Sequence, residues 1–314
     1  MRVNQMKPWM ESEPPEPARD PDLQRALADF QAWRLRPALP EDPGAHLDVT
    51  TELALRDAEL CFVEHERAAI APQAALAPQD PEGFLAWFES LQHDGPGQGD
   101  PLFPWLATAA DVREVRWFLA QEVAGEAGFD DLLALTQLKM PAQVKLEMAR
   151  NFWDEQGRGH ASGMHGPMLQ RLALALDATL PMHAIVPESL ALANLLTALA
   201  THRRYAYHSI GALGAIELTA PGRAEQVDAA LRRLAVSAQD RQYFSMHASL
   251  DKLHSAAWNR EVVRVLVAAD PRTARAMAEG AMMRLAAGAR CFERYRRELR
   301  LVTPGEGAPA HSRA

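Results

Sequence analysis

Residues 243–254 read YFSMHASLDKLH, and their spacing decides how the rest of the chain is to be understood. His247, Asp251 and His254 stand at i, i+4 and i+7. On an α-helix Asp251 then lies ~40° from His247, and His254 ~20° to the other side, so all three share one face over ~10 Å of axis. Leu250 flanks the stripe and turns it inward. Two imidazoles and a carboxylate buried without partners would be costly. A pair of metal ions would supply those partners, because imidazole nitrogen and carboxylate oxygen both suit non-haem iron. For this segment alone, a solvated stripe or a polar stripe satisfied within the core is the plainer alternative.

Working outward, a metal pair inside a helix bundle needs carboxylates projecting from several helices. In DVREVRWFLAQEVAGEAG (111–128) the stripe Val115, Phe118, Leu119 ends on Glu122, with Glu126 one turn further along the same face. In QVKLEMARNFWDEQGRGH (143–160) the stripe Val144, Met148, Phe152 ends on Glu155. The next segment, GRGHASGMHG (157–166), holds four glycines, each weakening a helix by about 1 kcal/mol relative to alanine. On an unbroken helix Glu155 and His165 would sit ~15 Å apart axially, so if both serve one site the helix must unwind between them. In YAYHSIGALGAIELTAPG (205–222) Ile210, Leu213 and Glu217 share a face, and Gly211 and Gly214 permit close packing. Glu217 reads as a last-turn acid, unfavourable against the helix dipole.

The remaining chain is helical in pattern. Leu and Ala dominate, aromatic residues make up 7%, and no stretch alternates in the manner of a strand. The pattern predicts helices at 21–36, 48–71, 81–92, 109–127, 129–138, 141–158, 165–177, 187–219, 221–237, 239–256, 258–268 and 271–300. The predicted organisation is a disordered Pro- and acid-rich segment at 1–20, a helical extension at 21–99, a bundle at 100–302 and a loose tail at 303–314.

These segments resemble the haem-oxygenase-like di-iron oxidases, often called iron-containing redox enzymes. The resemblance is carried by FLAQE (118–122), NFWDEQGRGHASGMH (151–165), GALGAIE (211–217) and YFSMHASLDKLH (243–254), in that order, over about residues 100–260. It implies an all-α, haem-oxygenase-like helical bundle without haem, here with an N-terminal helical extension. It also implies Glu122, Glu155, His165, His247, Asp251 and His254 as ligands of two iron ions, with Glu217 as a seventh and Glu126 as the alternative to Glu122. Four carboxylates would balance two ferrous ions. The implied activity is a non-haem di-iron oxidoreductase that uses O2, with or without an external reductant, to oxidise a small molecule. N-oxygenation, oxidative decarboxylation, desaturation and C–C cleavage all fall within that description. The competing readings are a metal-free helical binding or structural protein and a di-metal hydrolase or metal-storage protein.

A net charge of −8 argues against a phosphate-neutralising protein, and no apolar run reaches the ~20 residues of a membrane span. A cytoplasmic location is expected, with a small-molecule substrate, no nucleic acid and no membrane; a homodimer and a reductase partner are left open. Cys61 and Cys291 read as two buried thiols with no metal spacing. His183, His202 and His208 read as core or surface histidines, the arginines of 290–300 as a solvated helix face, and the aromatics at 84–88 and 103–105 as packing.

Overall fold

The computed structural model describes residues 16–42 and 44–301, and among these every regular element is a helix. Two long helices form the centre, α10 (Ala206–Arg233) and α13 (Arg272–Glu298). They cross where each carries a glycine. A Cβ on Gly211 would lie 1.9 Å from the carbonyl oxygen of Met277, and one on Gly280 would lie 1.8 Å from that of His208. The backbones are therefore in direct contact, an approach any side chain would block.

Around this crossing pack α4 (Leu102–Thr108), α9 (Pro187–Thr201) and α11 (Gln242–Trp258). α9 is buried on nearly every side, as its apolar composition requires. α5 (Val112–Gly125), held by a capping box from Asp111 and Glu114, and α6 (Phe129–Thr136) lie against α9. α7 (Ala142–Glu155) packs on α6 and α11, and α8 (His165–Ala175) packs on α5 and α11. α11 runs through a π-helical turn at Asn259–Val263 into α12 (Arg264–Ala269).

The helices before residue 100 join the same core. α1 (Pro21–Leu35) packs on α9, α2 (Val49–Ala74) on α13 and α9, and α3 (Pro81–Asp94) on α10 and α12. Buried ion pairs tie them down. Glu59 accepts from Gln31, Arg34 and His202, and Glu279 pairs with His208, Arg275 and Arg67.

Several expectations need correction. The helix expected at 187–219 is two helices. His202 is extended at the junction because Glu59 takes its ring, while Arg203 donates to the carbonyls that end α6. Conversely, no break occurs at Pro221. α10 continues to Arg233, so Glu217 is a mid-helix residue and not a last-turn acid. The Gly- and Pro-dense stretch HDGPGQGDPLFPW (93–105), expected to be a loop, runs into α4 at Leu102. Residues 16–20, assigned to a disordered segment, hold a 3-10 turn (Pro17–Arg19) whose Ala18 is fully buried; the rest of that segment, and the tail from 303, lie outside the described residues. Cys61 is exposed, and only Cys291 is a buried thiol. In the 290–300 stretch Arg290 pairs with the buried Glu66 and Arg296 with Asp100, so these two are half-buried in ion pairs.

Candidate metal centre

α7 ends at Glu155 because the next residues leave helical conformation. Gly157, Arg158 and Gly159 all have positive φ (60°, 54° and 85°), and Gln156 and Met164 then close a short antiparallel bridge. At Gly157 the glycine is required twice over, since a Cβ there would sit 2.4 Å from the carbonyl carbon of Gly163. The chain reverses within this small loop and starts α8 on His165. His165 Nδ1 thereby comes within 2.6 Å of Glu155 Oε2, although the two are ten positions apart.

Six of the residues implied as ligands gather into two triads. In one, ligand atoms of Glu155, His165 and His247 lie within 4.8 Å of one another; in the other, those of Glu217, Asp251 and His254 do. The triads are neighbours: the His165 and His247 rings are 4.6 Å apart edge to face, and Glu155 feels the charges of Glu217 and His254. All six are buried except His247, which is half-buried.

The hydrogen bonds fix how the imidazoles point. His247 Nδ1 is 2.6 Å from the Tyr243 carbonyl oxygen, which can only accept, so Nδ1 carries the proton and Nε2 is free. His254 Nε2 donates in the same way to Asp154 Oδ2 at 3.1 Å, leaving Nδ1 toward Glu217 Oε2 at 3.6 Å. Holding a ligating histidine by its other nitrogen is the usual device of metal sites. Asn151 Nδ2 donates to Glu217 Oε1 at 2.6 Å.

Electrostatically the site is frustrated without a cation. Glu155 is raised well above the carboxylate range by burial and then by Glu217. Asp251 is raised by burial, Glu217 and Glu155. Burial and a neighbouring imidazole lower His165 and His247 to about 4. His254, against the effect of its own burial, is raised to about 9 by Glu217, Asp154 and Glu155. The Nδ1 atoms of His165 and His254 are both buried with no hydrogen-bond partner, for His165 even at 2.6 Å from Glu155, because the two groups are not aligned as donor and acceptor. Crowded carboxylates and unpartnered imidazole nitrogens converging on the same two points fit divalent ions, which would let every carboxylate ionise and occupy both lone pairs. Mixed N/O donors of this kind suit iron.

A family model described as iron-containing redox enzyme matches residues 116–289, more than half of the chain. The chain belongs to that family. No curated protein matches it. The matched span includes both triads of this iron-containing redox enzyme and begins four residues into α5.

Glu122 is not brought to either triad. The turn of α5 that carries it faces Arg223, Arg284 and Tyr295, and the two arginines oppose the upward push of burial on its carboxyl. Glu126, one turn on, feels His165 and lies within electrostatic reach of Glu155, while its two oxygens accept the amides of Gly128 and Phe129 at 2.9 and 3.2 Å. Sequence reasoning also missed Asn151 and Asp154. Asn151 had a signal: Val144, Met148, Asn151 and Glu155 are the buried stripe of α7, and Phe152 is only half-buried. Asp154 had none, because its role depends on the packing of α7 against α11.

Proposed function

We propose that this enzyme holds two iron ions, one in each triad, and uses them with O2 to oxidise a small organic molecule. The observation that carries the reading is the pair of adjacent buried triads, each with an imidazole nitrogen that has no protein partner. Family membership supports iron and redox chemistry. Glu126, the α5 glutamate within electrostatic reach of His165 and Glu155, is our choice for the fourth carboxylate. Bound iron would supply the electrons that reduce dioxygen and the oxidising power that attacks the substrate.

The chain's own residues do the rest. Asp154 and the Tyr243 carbonyl set the tautomers of His254 and His247, so that one nitrogen of each faces the site. Asn151 holds one oxygen of Glu217 and leaves the other directed at His254. A cavity of about 150 Å³, open on one side to solvent, lies beside the triads. Apolar side chains such as Phe129, Leu192, Leu196 and Phe292 line it and keep water from the reacting groups.

The test is an anaerobic Fe(II) titration of the full chain, followed by exposure to O2. Close to two ions per chain should bind, and oxygen should be consumed. His165→Ala and His254→Ala should each bind about one ion fewer while keeping helical content. Absence of stoichiometric iron, or one tightly held metal indifferent to O2, would refute the proposal.

A further inference from the structure

The cavity holds a second set of charges that the iron reading leaves unexplained. Besides triad residues it is lined by Arg223 of α10 and Arg284 of α13. Burial lowers both, Arg223 to about 10, yet guanidinium does not shed its proton in proteins. Neither side chain forms an ion pair among the described residues. Arg223 donates from Nη2 to Thr219 Oγ1 at 3.1 Å, and its guanidinium lies 5.9 and 5.6 Å from the ring centroids of Phe103 and Phe292. Arg284 Nε is buried with no partner at all.

The acid that both arginines feel is Glu122, and one carboxylate can balance only one of them. Asp251 is also within reach of Arg223, but it belongs to the second triad. Both side chains are half-buried, and a guanidinium drawn into an enclosed space with no counter-charge is costly. The chain also makes room for it. Gly288 stands one turn after Arg284 inside α13, and a Cβ there would sit 2.7 Å from Arg284 Nη1.

We propose that Arg223 and Arg284 anchor a substrate carboxylate, so that the enzyme acts on an organic monocarboxylic acid with an apolar body. The assignment rests on reading this cavity as the substrate space of the iron enzyme. With Glu122 ionised between the two guanidiniums, one substrate carboxylate brings the sum to zero, whereas a phosphate dianion overshoots. The planar fork of a guanidinium also matches a carboxylate in two parallel hydrogen bonds. The apolar wall of Leu192, Leu196, Ile216 and Phe292 suits the remainder of such a molecule.

The experiment is calorimetric binding to the metal-free full chain. Hexanoate, decanoate and phenylpropanoate are compared with the alcohol and the alkyl phosphate of matching skeleton. The best carboxylate should bind about tenfold or more tightly than its alcohol, and more tightly than its phosphate. Arg284→Gln should abolish that preference without lowering the melting temperature of the ligand-free protein, because the guanidinium has no partner there to lose. Arg223→Gln is measured alongside in case the first variant does not fold, with loss of the preference again expected. Failure of every carboxylate to bind wild-type protein, equal binding of the alcohol, preference for the phosphate, or an intact preference in the variants would each overturn the assignment. Because no iron is present, the outcome is independent of the iron titration. A chain that takes two irons but ignores carboxylates loses the anchor and keeps its metal centre.

Discussion

Replacing Gly211 by alanine puts a methyl group into the crossing of α10 and α13. Its Cβ would lie 1.9 Å from the Met277 carbonyl oxygen, where ordinary contact begins near 3.4 Å, so the helices must part by about 1.5 Å. The obstacle is main chain and cannot rotate away, which places the substitution toward the upper end of the ~1–3 kcal/mol cost of overpacking. Alanine returns about 1 kcal/mol of helix propensity. The net destabilisation is about 2 kcal/mol, or a fall of roughly 3 °C in Tm for a chain of this size. Gly222→Ala is the matched control: it lies exposed on the same helix with nothing within 4 Å, and should stabilise by about 0.5–1 kcal/mol. Thermal and urea unfolding followed by circular dichroism would measure both. Iron stoichiometry of Gly211→Ala should fall as well, because Glu217 lies ~9 Å along the same helix. If Gly211→Ala melts with or above Gly222→Ala, the helices are not in backbone contact and the argument fails.

Gly157→Ala should leave helical content nearly unchanged but displace His165 from Glu155, since its φ is +60° and a Cβ would strike the Gly163 backbone. Binding of about one iron in place of two would be the expected titration, and full stoichiometry would remove the loop from the account. Acid should weaken the α10–α13 region through Glu279, which His208 and Arg275 hold at about 2 against its own burial. A folded value below the unfolded 4.5 means stability that is fully present above pH 4.5 and is lost as pH falls toward 2. The loss should be about 1–2 kcal/mol once the solvent-exposed arginines around it are allowed for. Urea midpoints against pH should be flatter over that interval in Glu279→Gln, and parallel curves would show that the pair carries no such linkage.

Much of this architecture is legible in residue spacing. Apolar periodicity marks the bundle helices, and the His247–Asp251–His254 stripe points to buried polar chemistry before any coordinates exist. The glycines of 157–166 reveal a break because their helix penalty has no other use. What spacing does not reveal depends on partners remote in sequence. The bend at His202 exists because Glu59, on α2, captures its ring. Pro221 reads as a helix end, yet α10 continues through it, packed against α13 and α11. Glu122 and Glu126 share a stripe, so periodicity cannot say which faces the triads. That is decided by Arg223 and Arg284, which stand on other helices. The two arginines themselves look like ordinary surface residues in the sequence, and only the folded chain shows them enclosed.

The continuity of α10 has a consequence for the geometry of substrate selection. Glu217 and Arg223 sit on the same unbroken helix, six residues apart, and both face the cavity. At ~1.5 Å per residue their Cα atoms are spaced ~9 Å along the axis. An acid gripped at Arg223 is therefore measured against the Glu217 triad by rigid backbone and not by a loop that can drift. Which carbon of a chain is presented to the metal side becomes a matter of helical register. One residue inserted between the two positions would slide the measure by ~1.5 Å and rotate it by ~100°.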